Sequence, residues 1–203
     1  MKRIQQPEEG PGVYLTFDDG PDPLYTPKLL DLLNKYQVPC VFFVVGERAQ
    51  MYPDLIRRMN AEGHALGIHH YQHKSSWFIG PYSLKKQIVT TGNILEEITG
   101  LKPVYYRPPW GHFNLFSPAA ARNFQVVMWD VIAGDWKVGP REQLLTRLMN
   151  KVRDGSIVVL HDCGETLGAD SKAPAVMIEA LEAFILKLKD SSFQFKRLED
   201  RRK

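Results

Sequence analysis

The chain has 203 residues, of which 44% are hydrophobic, and its 26 Lys and Arg against 23 Asp and Glu give a net charge of +3. A chain of this length and composition supports one sizeable core, so we expect a single domain, and we expect it to be monomeric. The near-balance of charge gives no electrostatic case for nucleic acid or an anionic membrane as a partner.

The sequence shows no targeting or membrane-spanning segment. No run approaches the ~18 apolar residues of a membrane helix, and residues 1–7 lack the apolar core of a signal peptide. We therefore expect an intracellular protein or a targeting segment that lies outside this sequence. Only two cysteines, Cys40 and Cys163, are present, which does not fit a disulfide framework.

The two ends of the chain differ in composition from its middle. Residues 1–12 are polar and contain Pro7 and Pro11, which favours a flexible lead-in. Residues 199–203 are interpreted as a basic, solvated tail. Residues 13–198 form the expected domain.

Within this domain, predicted strands and helices alternate. Residues 13–17 form a β-branched and aromatic run that predicts a buried strand. The first helix is expected to begin at Thr26, an N-cap followed by Pro27. Further strands are predicted at 40–45, 65–68, 104–106, 125–129, 156–160 and 193–195, and further helices at 52–62, 83–99, 117–118 onward, 141–153 and 175–189. This alternation predicts an α/β fold, either a (β/α) barrel or an open parallel sheet.

Polar residues follow the predicted strands at the points where those strands end. They are Asp18 and Asp19, the histidines within residues 69–73, Arg107, Asp135 and His161. The carboxyl ends of parallel strands lie on one face of an α/β fold, so we expect these side chains to converge.

Two adjacent carboxylates, Asp18 and Asp19, follow the first strand and precede a Gly-Pro turn. A turn commonly contains one aspartate, but it does not account for two adjacent ones, because neighbouring carboxylates repel each other. A nearby cation is therefore expected, and a metal ion is the first candidate.

Residues 69–73 add three histidines, of which His69 and His73 are four positions apart. This spacing puts both on one face of a helical turn. With Asp19 they form a candidate site for Zn²⁺ or a similar divalent ion, with one position left for water. The pair His70 and His73 is the alternative. We favour His69, because a residue directly after it in the strand would point to the opposite side.

Arg107 and His161 are the candidates for proton chemistry around this site. Arg107 alone is best explained as a surface cation, but beside Asp18 it would keep that carboxylate ionised and aimed, so that Asp18 removes a proton from water. His161 at a strand end is a candidate general acid with Asp135 as its partner. Taken alone, His161 and Asp162 could equally be a capping pair.

The aromatic residues near these strand ends suggest a carbohydrate only weakly. Trp110 and Trp136 have positions that suit the face of a sugar ring. The default interpretation of Trp129 is a core residue. His64 and His112 fit loop positions and receive no functional role.

Five ordered motifs across residues 16–162 resemble the polysaccharide deacetylase family, which is carbohydrate esterase family four with the nodulation-protein-type deacetylase domain. The family's opening motif, Thr-Phe-Asp-Asp-Gly-Pro, is present unaltered at residues 16–21. His69 and His73 match the family's metal histidines, and Arg107 matches the residue that positions its base. The resemblance implies a distorted (β/α) barrel of about seven parallel strands.

The resemblance also implies a role for each matched residue. Asp18 would be the general base, Asp19 a metal ligand, and the backbone N–H of Trp110 the oxyanion donor. Asp135 and His161 would form the acid dyad, with Trp136 and Val159 as walls of the acetyl pocket. The sequence departs from the usual family residues at His70, Trp110, Ile132 and Val159, and none of these changes removes a catalytic group.

The implied activity is metal-dependent removal of N-acetyl groups, or O-acetyl groups, from a carbohydrate such as a chitin oligomer or peptidoglycan. The implied cofactor is one divalent ion, Zn²⁺ first, with Co²⁺, Mn²⁺ or Ni²⁺ as alternatives. The family usually acts outside the cytoplasm. Two other hypotheses are an amide hydrolase or deformylase acting on a small molecule, and a non-catalytic sugar-binding module with the same fold.

Overall fold

The computed structural model describes residues 10–201. The expected lead-in and tail therefore lie partly outside the described residues. The strands are β1 (Gly12–Asp18), β2 (Cys40–Val44), β3 (Ala65–Ile68), β4 (Tyr105–Tyr106), β5 (Gln125–Val126), β6 (Val131–Ile132), β7 (Ser156–His161) and β8 (Gln194–Phe195). The α-helices are α1 (Thr26–Tyr36), α2 (Gly46–Met51), α3 (Pro53–Ala61), α4 (Pro81–Thr99), α5 (Ser117–Ala120), α6 (Arg141–Lys151) and α7 (Ala173–Asp190). Short 3-10 helices occupy Ser76–Phe78, Pro109–Gly111 and Leu198–Asp200.

Seven strands form one curled, parallel sheet in the order β5-β4-β3-β2-β1-β7-β6. Each recorded pairing is parallel, and β8 adds a short parallel pairing at the start of β1. Helices lie between most consecutive strands, as parallel strands require, whereas β5 and β6 are joined by residues 127–130 without a helix. The predicted distorted (β/α) barrel is confirmed as a curled half-barrel of seven parallel strands.

The core lies on both sides of this sheet. Strands β1 and β2 are buried at every position, which agrees with the continuous apolar sequence of β2 and the mostly apolar sequence of β1. Most of the core packs between the strands and the surrounding helices. A smaller cluster, which includes Tyr14, Phe43, Ile157 and Leu198, forms a separate apolar core. Leu198 belongs to the last 3-10 helix, so the C-terminal segment contributes to this second core.

The observed elements differ from the predicted ones in three places. The strand predicted at 125–129 ends at Val126, because the carbonyl groups of Val127 and Met128 instead accept hydrogen bonds from the Arg107 side chain. The two-residue strand β6 was not predicted, since two residues are too few to show a period. The helix predicted at 52–62 is preceded by the unpredicted α2.

Within residues 10–201, none of the helices is long and apolar enough to cross a bilayer. Cys40 and Cys163 are both buried as free thiols.

Candidate active site

The carboxyl ends of the strands surround one cavity of ≈ 280 Å³. Asp18 and His161 are the last residues of β1 and β7, and Asp19 and His69 directly follow β1 and β3. All four line the cavity. Asp19 has a φ of 78°, in the left-handed region. This turn breaks the alternation of a strand, so two adjacent carboxylates face the same cavity.

Arg107, which directly follows β4, holds Asp18 in place. Its Nη1 donates to Asp18 Oδ1 at 2.7 Å and to Thr16 Oγ1 at 2.8 Å. Its Nε donates to the carbonyl of Val127 at 2.9 Å, and its Nη2 donates to that of Met128 at 3.2 Å. With four acceptors around it, the guanidinium has one orientation, and it presents a positive charge to Asp18.

The burial of Arg107 excludes the interpretation that it is a surface cation, because the residue is 0% exposed. Its guanidinium lies 4.1 Å from the centre of the Phe43 ring and 5.5 Å from that of Trp129. Burial lowers the pKa of Arg107, whereas the charge of Asp18 and its hydrogen bond raise it. Breaking the pair would leave an uncompensated buried charge, which is strongly destabilising.

Asp19, His69 and His73 form a compact set of potential metal ligands, whose ligand atoms lie within 4.8 Å of one another. Asp19 Oδ1 is 3.3 Å from His69 Nε2 and 3.1 Å from His73 Nε2. Burial raises the pKa of Asp19, but the contacts to the two imidazoles lower it well below its usual range.

The hydrogen bonds of His69 show that this set suits a cation. His69 Nδ1 lies 2.8 Å from the carbonyl oxygen of Arg107, which accepts only, so Nδ1 carries the proton. In the neutral imidazole, Nε2 then carries a lone pair that faces the Asp19 carboxylate. Two acceptors at that distance need a proton or a metal ion between them. The residues present therefore fit a divalent ion, and a carbonyl that fixes the tautomer is the usual partner of a metal-binding histidine.

The expectation that His69 and His73 lie on a helical turn is wrong. The segment between them is a non-helical bend in which His70 has a φ of 64°. His70 is fully buried, with Nδ1 at 2.9 Å from the carbonyl of Lys74 and Nε2 at 2.8 Å from the hydroxyl of Tyr106. These two contacts occupy both nitrogens of His70, and the loop brings His69 and His73 together around it.

His161, the partner of Asp18 in the pairing of β1 with β7, forms a pair with Asp135. Its Nδ1 is 3.1 Å from Asp135 Oδ1, and its backbone N–H donates to Asp135 Oδ2 at 2.7 Å. Burial lowers the pKa of His161, but the charge and hydrogen bond of Asp135 outweigh it and, with the other carboxylates, raise the pKa to about 10. The Asp135 carboxylate thus favours the protonated imidazole, and Nε2 is the nitrogen left for the cavity.

Aromatic and aliphatic side chains form the walls between these polar groups. Trp136 packs edge-on against the His161 ring with centres 5.5 Å apart. Val159, Ile132 and Trp110 also line the cavity. Trp129, by default a core residue, is only partly buried and lines the cavity too. It therefore belongs to the site.

The loop after β7 contributes residues that the sequence motifs did not indicate. Thr166 donates its hydroxyl to Asp19 Oδ2 at 2.7 Å, and residues 166–169 line the cavity. Nothing in the sequence connects Thr166 with Asp19, which lies 147 positions away. Asp162, by contrast, accepts a hydrogen bond from Thr26 at 2.5 Å and does not line the cavity.

The two histidines without an expected role lie outside the cavity. His64 is buried with Nδ1 at 3.3 Å from Cys40 Sγ. His112 stacks on the ring of Trp77, with ring centres 3.6 Å apart.

Comparison with known proteins identifies relatives of this chain. The family model for polysaccharide deacetylase matches residues 5–129. A peptidoglycan-N-acetylglucosamine deacetylase of Bacillus cereus is 34% identical over 185 residues, which are 90% of this chain and 65% of that protein. A chitooligosaccharide deacetylase of Sinorhizobium fredii is 33% identical over 189 residues, covering 90% of this chain and 88% of that protein.

Among solved structures, the peptidoglycan deacetylase PdaC of Bacillus subtilis superposes with a TM-score of 0.83 at 33% identity. The match covers 94% of this chain and 89% of that chain. The chain thus spans about two thirds of the length of its Bacillus cereus relative and most of the solved domain. On the family match, the identities and the shared fold, the chain belongs to the polysaccharide deacetylase family.

Proposed function

We propose that this protein is a metal-dependent hydrolase that removes N-acetyl groups from a carbohydrate such as peptidoglycan or a chitin oligomer. The observation that carries the proposal is the presence of three groups around one cavity of ≈ 280 Å³. These groups are the Asp18–Arg107 pair, the Asp19–His69–His73 set and the Asp135–His161 pair. The names of the relatives support an acetylated glycan as substrate.

Asp19, His69 and His73 are the proposed ligands of the metal. Two imidazoles and one carboxylate favour Zn²⁺, with Co²⁺, Mn²⁺ or Ni²⁺ as alternatives. A bound divalent ion would polarise the acetyl carbonyl and lower the pKa of the attacking water.

Asp18 is the proposed general base. The Arg107 contact at 2.7 Å to Oδ1 leaves Oδ2 of Asp18 for the cavity. There Asp18 takes a proton from water while the water oxygen bonds to the acetyl carbon. Oδ2 is 4.0 Å from His69 Nε2, so the base lies beside the proposed metal ligands.

His161 is the proposed general acid. Protonated and oriented by Asp135, it gives a proton to the amide nitrogen as the carbon–nitrogen bond breaks, so the sugar leaves as an amine and acetate remains. The peptide N–H of Trp110 is assigned to the oxyanion that develops on the acetyl oxygen. Trp136 and Val159 are assigned to the walls around the acetyl methyl group.

Product analysis over a panel of acetylated glycans tests this proposal. Acetate release from N-acetylglucosamine oligomers or peptidoglycan is the expected result. Formate or ammonia from a small amide, with no acetate from any glycan, would favour an amide hydrolase or deformylase. Glycan binding without any product would favour a non-catalytic sugar-binding module.

The relatives that act on peptidoglycan support an action outside the cytoplasm, which we include in the proposal. We further propose that the protein acts as a monomer.

A further inference from the structure

A buried carboxyl group, that of Asp162, lies next to the candidate site and has no part in the proposed reaction. Asp162 directly follows His161, the last residue of β7, and is 0% exposed. It does not line the cavity, and its Oδ1 has no hydrogen-bond partner among residues 10–201. An unpaired acceptor in a buried position is costly. The presence of an aspartate here therefore needs a reason beyond the capping of a strand.

The Asp162 side chain packs against the turn formed by residues 18–22, which we call the aspartate turn. A Cβ atom on Gly20 would lie 2.3 Å from Asp162 Oδ2 and 2.4 Å from Oδ1. The carboxyl group thus occupies the space that any other residue at position 20 would need. Gly20 has no positive φ, so this close approach, and not an unusual backbone conformation, accounts for the glycine.

Hydrogen bonds attach Asp162 to both ends of the aspartate turn. Its backbone N–H donates to the carbonyl oxygen of Asp18 at 3.3 Å. Its Oδ2 accepts a hydrogen bond from the Thr26 hydroxyl at 2.5 Å, and Thr26 Oγ1 accepts one from the backbone N–H of Asp22 at 2.7 Å. One residue therefore holds the start, the middle and the end of the turn.

The aspartate turn determines where the proposed base and one proposed metal ligand lie. The positive φ of Asp19, 78°, directs its carboxylate and that of Asp18 to the same cavity. This conformation is costly for a residue other than glycine and persists only when surrounding contacts maintain it. Asp18 is also paired with His161 across β1 and β7. The contact from Asp162 to Asp18 thus also helps to set the proposed base opposite the proposed acid.

We propose that Asp162 is a positioning residue, which holds the aspartate turn so that Asp18 and Asp19 reach the cavity together. It acts by packing on Gly20 and by hydrogen bonding, and it touches neither the metal nor the substrate. This inference rests on the proposed function, because it takes the roles of Asp18 and Asp19 from there.

Metal affinity and steady-state kinetics test this inference. Wild type, Asp162→Ala, Asp162→Asn, Gly20→Ala and Ser156→Ala are compared by competition with a chelator for Zn²⁺ and by acetate release from the N-acetylglucosamine hexamer. Ser156 is the matched control, since it is a buried residue at the opposite end of β7. Its Oγ accepts a hydrogen bond from the backbone N–H of Arg153 at 2.9 Å. Its loss can destabilise the fold without moving the aspartate turn.

The three variants of the contact should differ in a defined order. We expect Asp162→Ala to weaken Zn²⁺ binding by roughly 10–100-fold, the scale for a group that orients a metal ligand. It should also lower kcat by about 10²-fold with little change in KM, because misplaced reacting groups slow the chemical step. Asp162→Asn should retain most of both quantities, since it keeps the shape and an oxygen for Thr26. Gly20→Ala should weaken Zn²⁺ binding, because its methyl group meets the carboxyl group.

The double variant Gly20→Ala/Asp162→Ala tests the contact itself. Removal of the carboxyl group leaves room for the methyl group, so the loss of Zn²⁺ affinity should be smaller than the product of the two single losses. A product of independent losses would contradict the proposed contact.

The remaining outcomes separate positioning from general stability. Zn²⁺ affinities within about twofold of wild type in both Asp162→Ala and Gly20→Ala would overturn the proposal. A loss in Ser156→Ala equal to that in Asp162→Ala would overturn it too, because the effect would then be one of stability. If Asp162→Ala does not fold, Gly20→Ala and Asp162→Asn decide, and equal losses in these two would contradict the proposal. If wild type releases no acetate, the proposed function fails, but the Zn²⁺ affinities still show whether Asp162 positions Asp19.

Discussion

Thr166 provides a direct test of how the protein prepares its candidate metal site. Its hydroxyl donates to Asp19 Oδ2 at 2.7 Å, while Asp19 Oδ1 faces the two histidines. Asp19 is only 5% exposed, so little water can replace this hydrogen bond. The substitution Thr166→Val keeps the shape of the side chain but removes the donor.

The expected loss of metal affinity follows from the strength of this one hydrogen bond. A hydrogen bond to a charged group contributes about 1.5–3 kcal/mol, and 1.4 kcal/mol corresponds to about tenfold in a binding constant. We therefore expect Thr166→Val to weaken Zn²⁺ binding by roughly 10–100-fold, the usual effect of losing a group that orients a metal ligand.

Competition with a chromophoric chelator measures this affinity without reference to activity. Thr166→Ser should retain most of the affinity, because it keeps the hydroxyl. Thr146→Val is the matched control, since its hydroxyl binds the Glu142 carbonyl on an exposed helix surface. A Thr166→Val affinity within about twofold of wild type would refute the reasoning, and so would a Ser variant as weak as the Val variant.

The remaining predictions concern the proposed catalytic groups. Asp18→Asn should lower turnover by about 10²-fold or more with metal still bound, whereas Asp19→Asn should lose metal; equal metal loss in both variants, measured by elemental analysis, contradicts these roles. Asp135 raises the pKa of His161, so Asp135→Asn should lower that pKa and move the alkaline fall of kcat/KM to lower pH. An unchanged pH profile would contradict the role of Asp135 as the partner of the general acid. His70→Ser should keep stoichiometric metal because neither nitrogen of His70 faces Asp19; a metal-free His70→Ser protein in the same titration would overturn the ligand assignment.

The sequence allowed much of the fold to be predicted, because the central strands are buried and mostly apolar. The strand predicted at 13–17 lies within the observed β1, and the strand predicted at 40–45 extends one residue beyond the observed β2. The short strand β6 was missed because its pairing with β7, and not its own pattern, makes it a strand. Strand β5 is shorter than predicted because Arg107 binds the carbonyl groups beyond Val126.

The site could be anticipated where its residues follow strand ends, since topology alone brings such positions to one rim. Local spacing was less informative, because the four-residue separation of His69 and His73 suggested a helical turn that the chain does not form. The left-handed backbone of His70 and its contact with Tyr106 shape the loop instead. Thr166 gave no signal because its relation to Asp19 depends entirely on tertiary structure.

Simultaneous measurement of bound metal and acetate release tests the central claim most directly. Metal-free protein is titrated with Zn²⁺, and each sample is analysed for metal per chain and for its rate on the N-acetylglucosamine hexamer. Acetate release should rise in proportion to occupancy and saturate at one ion per chain, because Asp19, His69 and His73 form one ligand set. Full activity in protein shown to be free of metal would contradict the account.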